Sequence, residues 1–362
     1  MAPFKDEIGL PSVERLARVL AEGDPSFPVE AFVDTATAGL DGLELKARIA
    51  RVAAALVPCL PPSFPDAAAL VASTVGRSQL GMWEVWPVTD WVAAAGRGHP
   101  RDALGLLAVL TSRASGEIAI RTFLRDDPAG TMRVLRRWTG HRDEHVRRLV
   151  SEGTRPRLPW APRVPWLDEQ PGWALPLLER LHDDPSAYVR LSVANHLNDL
   201  TKLDPELAVE VAARWRDGGP HAPRLVAHGL RTLVKRGDPR ALALVGADPD
   251  AAVTVEDVEV VTPRVVVGEA LRFRVRVRSD HPEPARVVVD YAIDFVGAAG
   301  RRNRKVFKLR TFTLQPGEAR LLEKAHRLAP VTIRTYRPGR HAVEVVCNGR
   351  AAGAVDFELV VG

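Results

Sequence analysis

A change of hydrophobic period near residue 250 constrains this chain more than any other feature. Before it, LELKARIARVAAALV (43–57), DALGLLAVLTSRASGEIAIRTFL (102–124) and PELAVEVAARW (205–215) repeat apolar residues every three or four positions. That spacing puts one apolar stripe on a helix face. Prolines at 58, 61, 62, 65, 156, 159, 162 and 165 punctuate these stretches, because proline lacks the amide hydrogen and clashes inside a helix. After GADPDAAVT (246–254) the period falls to two. VEDVEVVTP, EALRFRVRVRSD, ARVVVDYAIDFVG, KVFKLRTFTLQPGE, HAVEVVCNG and AAGAVDFELVV are β-branched, alternate in polarity and are separated by Gly, Pro, Asn or Asp.

The helical part repeats weakly. DEHVRRLVSEGTR (143–155) aligns with SAYVRLSVANHLN (186–198) at an offset of 43, and VANHL (193–197) with VAHGL (226–230) at an offset of 33. Helix pairs recurring at such intervals form HEAT-type solenoids, whose stacked units bury a continuous core and leave a concave face. The expected fold is multidomain: an α-solenoid of HEAT-like repeats over 1–250, then an all-β immunoglobulin-like sandwich of six or seven strands over 255–362. Cys59 and Cys347 stand 288 positions apart, so the sandwich is immunoglobulin-like in architecture only, and no thiolate metal site or disulfide framework is expected. No apolar run approaches the roughly 18 residues of a membrane span. The acids in MAPFKDEIGLPSVERLARVL do not suit a secretory signal, so the chain is expected to be cytoplasmic.

Charge is informative once located. Basic residues number 50 against 45 acids, yet 251–362 holds 19 and 13 of them, so the excess is C-terminal. Two basic stretches lie there, GRRNRKVFKLR (300–310) and RTYRPGR (334–340), and clustered cations bind phosphate by releasing its counterions. The most unusual segment is RRLVSEGTRPRLPWAPRVPW (147–166), where five arginines and two tryptophans accompany one acid, Glu152. Arginine forks suit phosphate and tryptophan faces stack on bases, whereas a proline-rich connection with packed tryptophans would read the same way. Glu117, Glu152 and Asp199 are separated by 35 and 47 residues, near the repeat length, so all three can project onto one face. Such a carboxylate cluster stabilises developing positive charge; the bland reading is three solvated or salt-bridged acids. Asn195, His196 and Asn198 fit repeat packing and caps, and His141 with His145 fits ordinary surface. No phosphate loop, HExxH, CxxC or GxSxG pattern is present.

The order SGEIAIRTFL, WTGHRDEHVRRLVSEGTRPRLPWAPRVPWL, DPSAYVRLSVANHLNDLTK and RTYRPGRHAVEVVCNG resembles the AlkC branch of the DNA alkylation repair glycosylases, related more distantly to the AlkD branch. The likeness covers residue 100 to the end. Ile118 and Thr122 stand where the family's first motif has Phe and Pro, a change that leaves the chemistry alone. The resemblance implies a HEAT-like glycosylase with a DNA-gripping Ig-like domain. It would remove cationic bases, 3-methyladenine and 3-methylcytosine, from double-stranded DNA, as a nucleoid-associated monomer without metal or cofactor.

It also implies a catalytic role for Glu117, Glu152 and Asp199. A DNA-facing role is implied for Arg121, Arg147, Arg148, Arg155, Arg157, Trp160, Arg163, Trp166, Arg190, Asn195 and His196, and in the β domain for Arg304, Lys305, Lys308, Arg337 and Arg340. Of seven lysines none lies between Lys46 and Lys202, which argues against a Schiff-base lyase. Two readings compete. A noncatalytic HEAT scaffold has no reason to hold acids in a phosphate-binding groove, and an iron-dependent demethylase needs a facial triad that is not evident. Glu152, placed at a helix end between Arg148 and Arg155, is expected to tolerate Glu152→Gln with little loss of stability.

Overall fold

A computed structural model describes residues 4–297, 301–330 and 336–361. The chain divides into two compact units, Met1–Asp204 and Pro205–Gly362. Secondary structure changes elsewhere: the last helix ends at Leu244 and the first strand starts at Val253. The expected limits of 1–250 and 255–362 follow that change, while compactness groups the last four helices with the strands.

The first unit holds α1 (Leu10–Gly23), α2 (Val29–Thr37), α3 (Leu45–Leu56), α4 (Phe64–Ser73), α5 (Met82–Ala95), α6 (Pro100–Leu110), α7 (Ile120–Asp126), α8 (Pro128–Trp138), α9 (Glu144–Gly153), α10 (Pro165–Glu169), α11 (Leu175–Leu178) and α12 (Ala187–Leu200). The stretch 102–124 is not one helix. It breaks after Leu110, and the turn before α7 carries Glu117. Helices pack in pairs, α1 on α2, α3 on α5, α4 on α6 and, most extensively, α9 on α12. The 43-residue offset is structural: Asp143 caps α9 through the His145 amide and Ser186 caps α12 through the Tyr188 amide, at equivalent positions.

The second unit begins with α13 (Pro205–Trp215), α14 (Ala222–Gly229), α15 (Arg231–Lys235) and α16 (Pro239–Leu244). Among the described residues eight strands follow: β1 (Val253–Val260), β2 (Arg264–Val266), β3 (Ala270–Ser279), β4 (Ala285–Val296), β5 (Arg302–Leu314), β6 (Ala319–Arg327), β7 (Gly339–Cys347) and β8 (Arg350–Val360). They form two sheets, β1-β3-β6 and β2-β8-β7-β4-β5, antiparallel except for the parallel β2–β8 pair. Leu271, Phe273, Val275 and Val277 of β3 face Val287, Val289, Tyr291 and Ile293 of β4 in a shared core. β4 is buried on both faces, unlike β3. The preceding helices border its second face: Ala227, Arg231, Val234 and Lys235 line a cavity with Arg286, Val288 and Asp290 of β4. The Lys235 amine donates to the Val306 carbonyl of β5 at 3.0 Å, and Gly237 packs on Gly349 of the β7–β8 turn, each glycine at positive φ. A side chain at Gly349 would collide with the Gly237 backbone, and one at Gly237 would press on Gly349 at 3.1 Å. Two strands escape the periodicity. β2 is three residues long, and ARLLEKAHR of β6 is rich in helix formers that pairing with β3 overrides.

Candidate functional site

The three spaced acids meet in the first unit. Glu117 comes from the turn before α7, Glu152 from the end of α9 and Asp199 from the end of α12. Two arginines of the unusual segment lace them into one chain. Arg148 Nη1 donates to Glu117 Oε2 at 2.7 Å and Arg148 Nη2 lies 3.6 Å from Glu152 Oε2. Arg155 Nη1 donates to Glu152 Oε1 at 2.6 Å and Arg155 Nε to Asp199 Oδ2 at 2.9 Å. Ser115 donates to Glu117 and Ser192 to Glu152, each at 2.6 Å. Lys202 Nζ ends the chain 3.7 Å from Asp199 Oδ1.

The members differ in exposure. Glu152 and Asp199 are 5% and 1% exposed, whereas the Glu117 side chain keeps 22%. Burial works against the charge of Arg148, but Glu117 and Glu152 outweigh it and hold the guanidinium protonated beyond its usual range. Arg155 is held the same way against its own burial by Asp199 and Glu152. Arg148 also lies 4.9 Å from the Tyr188 ring centre. With fixed partners on every acid, this chain is a preorganised field whose outer carboxylate is Glu117.

Glu117 lines a pocket of about 240 Å³ with Met82, Trp86, Ser115, Ile118, Pro159 and Trp160. Trp160 is 58% exposed and stacks on Trp86, centroids 6.4 Å apart and planes 13° from parallel. Its φ of 65° is left-handed, a conformation that costs a bulky residue on the order of 1–3 kcal/mol. The Lys46 amine, reaching from α3, donates to its carbonyl. Aromatic walls and a carboxylate at the opening suit a planar cation.

The remaining expected DNA contacts separate into groups. Arg157 is exposed, and Arg163 is exposed while bonding the Pro156 carbonyl and lying 3.4 Å from Asp168. Asn195 is half-buried on α12. Arg147 clasps Asp184 with two bonds of 2.7 and 3.0 Å, and Arg190 bonds the carbonyls of Asp184 and Pro185, so both order the entry to α12. Trp166 packs edge-on against Trp173, centroids 4.8 Å apart.

Two assignments are corrected. Arg121 is 2% exposed and spends its guanidinium on the carbonyls of Gly153, Arg155 and Pro162, satisfying the end of α9 and the proline segment; burial lowers its pKa to about 10. His196 is fully buried, with Nδ1 3.1 Å from the Ser151 carbonyl, and burial lowers its pKa to about 4. Neither is exposed on the surface where a phosphate would bind.

In the second unit Arg304 pairs with Asp294 and Glu344, and Arg340 with Asp356. Lys305, Lys308 and Arg337 are exposed. Gly300, at the start of the first basic stretch, and Arg334 with Thr335, at the start of the second, lie outside the described residues. Sequence reasoning missed Trp86, Ser115, Tyr188 and Ser192. Trp83 and Trp86 at helical spacing in MWEVWPVTDW were the available sign of the aromatic wall. Among the described residues no group of three or more His, Cys, Asp or Glu is arranged to hold a metal ion, and no helix is long and apolar enough to cross a membrane.

A family model described as the C-terminal Ig-like domain of the uncharacterised protein YhaZ matches residues 254–361. Over 360 residues the chain is 34% identical to the uncharacterised protein YhaZ of Bacillus subtilis strain 168, covering 99% of this chain and 100% of the relative. Among solved structures it is similar to the Pseudomonas fluorescens alkylpurine DNA glycosylase AlkC bound to DNA containing an abasic site analogue. There the identity is 35%, the coverage 99% of this chain and 100% of that chain, and the TM-score 0.93.

Proposed function

Because the chain belongs to the family that includes YhaZ and AlkC, we propose that it is a DNA glycosylase that hydrolyses the N-glycosidic bond of cationic alkylated bases in duplex DNA. Its substrates would be 3-methyladenine and 3-methylcytosine, and it would act as a cytoplasmic, nucleoid-associated monomer without a cofactor. The observation that carries the reading is the chain of three carboxylates and two arginines whose outer member, Glu117, opens beside the Trp86–Trp160 wall.

The chemistry follows from charge. An N3-methylated base is already cationic, so it leaves as a neutral molecule and needs no general acid. What remains is to stabilise an oxocarbenium-like sugar and to place a water. Glu117 is the carboxylate able to meet the sugar, while Glu152 and Asp199, behind it, keep the arginines from neutralising it completely. A positioned base contributes roughly 10²–10⁴-fold, and a preorganised charge adds to that. The two lysines beside the site are occupied, Lys46 by the Trp160 carbonyl and Lys202 by Asp199, which favours hydrolysis over Schiff-base lyase chemistry.

Incubation with oligonucleotides carrying 3-methyladenine or 3-methylcytosine, without added metal, should release the free methylated base and leave an intact strand with an abasic site. Borohydride should trap no covalent complex. Absence of base release from both substrates would refute the reading, and a trapped complex would refute its monofunctional part.

A further inference from the structure

The first unit carries a second cavity, of about 490 Å³, that shares no lining residue with the Glu117 pocket. It lies between α6 and α8, and α7 contributes Phe123 to it. Its floor is apolar: Leu104 and Phe123 are buried, with Val134 and Trp138 half-buried beside them. Its rim is cationic. Arg97, Arg101, Arg133 and Arg137 line it, against two acids, Asp126 and Asp127.

Both acids are already engaged. Asp126 pairs with Arg97 at 2.7 Å and with Arg125 at 3.6 Å, and Asp127 caps α8 by accepting from the Gly130 amide at 2.8 Å. Among the described residues the guanidinium groups of Arg101, Arg133 and Arg137 make no ion pair or hydrogen bond, and all three are exposed. Three uncompensated cations therefore surround an apolar floor. Arg133 and Arg137 stand one turn apart on α8, and Arg101 rises from α6 on the other side, so the charges flank a groove instead of converging on one point. A free nucleotide would concentrate its charge at one end. A sugar–phosphate backbone would satisfy the arginines and leave the apolar floor unused. An amphipathic acidic segment satisfies both.

We propose that the cavity between α6 and α8 is a docking site for an acidic peptide segment of a partner protein, seating an aromatic or large aliphatic side chain on Leu104, Phe123 and Trp138 with its carboxylates on Arg101, Arg133 and Arg137. The contact is of the kind in which a buried apolar anchor supplies affinity and rim charges supply on-rate and selection. It is independent of the excision chemistry, because none of these residues belongs to the carboxylate–arginine chain.

The test uses the full-length protein and a short fluorescein-labelled peptide of aspartates and glutamates around two phenylalanines, read by anisotropy. Binding should weaken at least about 10-fold in Arg133→Glu/Arg137→Glu, and also in Arg101→Ala on the other helix. Replacing the peptide phenylalanines with serine should weaken it comparably, and undamaged duplex should not displace the peptide. Excision by the double variant should equal that of the wild type, and its circular dichroism should report an intact fold. Four results would overturn the proposal: no binding, binding unchanged in either arginine variant, equal binding of the serine peptide, or displacement by duplex, which would make the groove a nucleic-acid contact.

Discussion

The two compact units handle charge in opposite ways. In Pro205–Gly362 the strand alternation sorts it outward: Arg272, Arg274, Arg276 and Arg278 of β3 face solvent while Leu271, Phe273, Val275 and Val277 between them form the core. In Met1–Asp204 helices α9 and α12 enclose Glu152, Arg155, Asp199 and His196, and Arg121 is buried beside them. Enclosing paired charges rarely gains stability over a well-packed apolar core, and removing one partner is costly. A unit that nevertheless keeps five such groups together shows the clustering of buried titratable groups common at functional sites, whereas the sandwich carries most of its charge on its surface. Among its described residues the sandwich also buries His341 and the acid Asp290. Asp290 is buried beside the helices of its own unit, and burial raises its pKa to about 6 against the pull of Lys235 and Lys308.

The largest expected effect breaks the buried network. Glu152→Gln should lower excision by at least about 10²-fold and also cost roughly 3–5 kcal/mol, because it leaves Arg148 and Arg155 short of an anion in a closed site. Single-turnover base release with urea unfolding checks both. An effect on activity alone would mean that the site opens to water more than its geometry indicates. This reverses the expectation of a structurally near-neutral substitution, which rested on Gln keeping the shape of a residue at a helix end.

A smaller effect separates the units by pH. His196 has a folded pKa of about 4 against an ordinary 6.5, so the unfolded chain binds more protons between these values, and the stability of the first unit falls as pH drops through that window. Asp290 has a folded pKa of about 6 against 3.8, so the folded chain binds more protons there. The stability of the second unit therefore falls as pH rises from about 4 to about 6. Each group contributes at most about 1.4 kcal/mol per pH unit, with opposite signs. Hydrogen exchange at several pH values should show protection in α9 and α12 moving opposite to protection in β4 and β7. His196→Asn should remove the first slope and Asp290→Asn the second; slopes unchanged in these variants would assign the titration elsewhere.

The smallest effect tests the outward charges. Arg272→Ser with Arg276→Ser should change the stability of the sandwich by less than about 0.5 kcal/mol, measured by thermal unfolding, since exposed charges on a strand face contribute little. A loss of several kcal/mol would show that this face is structurally engaged.

Much of this contrast was legible in the residues, and unevenly so. Periodicity identifies α3, α13 and β3 because each has a single apolar face set by a period that the sequence displays, while β4, buried on both faces, is identified by its β-branched run. The meeting of Glu117, Glu152 and Asp199 was legible because their separations of 35 and 47 residues are near the repeat length, although Glu117 comes from a turn and the 43-residue alignment pairs Glu152 with Asn195. The burial of Arg121 was not: its partners at 153, 155 and 162 lie at the end of α9 and in the irregular proline segment after it, and no local pattern encodes a contact across 41 residues. Nor was β6, whose helix-forming residues become a strand only because β3 offers an edge to pair with. The Trp86–Trp160 wall joins an early helix to a loop 74 positions later, and depends on a left-handed backbone at Trp160 that spacing alone does not reveal.

The central claim is that the helical unit holds an excision site whose accessible carboxylate is Glu117. The direct measurement is the single-turnover rate of free 3-methyladenine release from duplex DNA by the wild type and by Glu117→Gln, with unfolding followed on the same preparations. Glu117 keeps its solvent opening and among the described residues bonds Arg148 and Ser115, so the variant should unfold within about 1 kcal/mol of the wild type while releasing base at least about 10²-fold more slowly. Equal rates in the two folded proteins would contradict the claim.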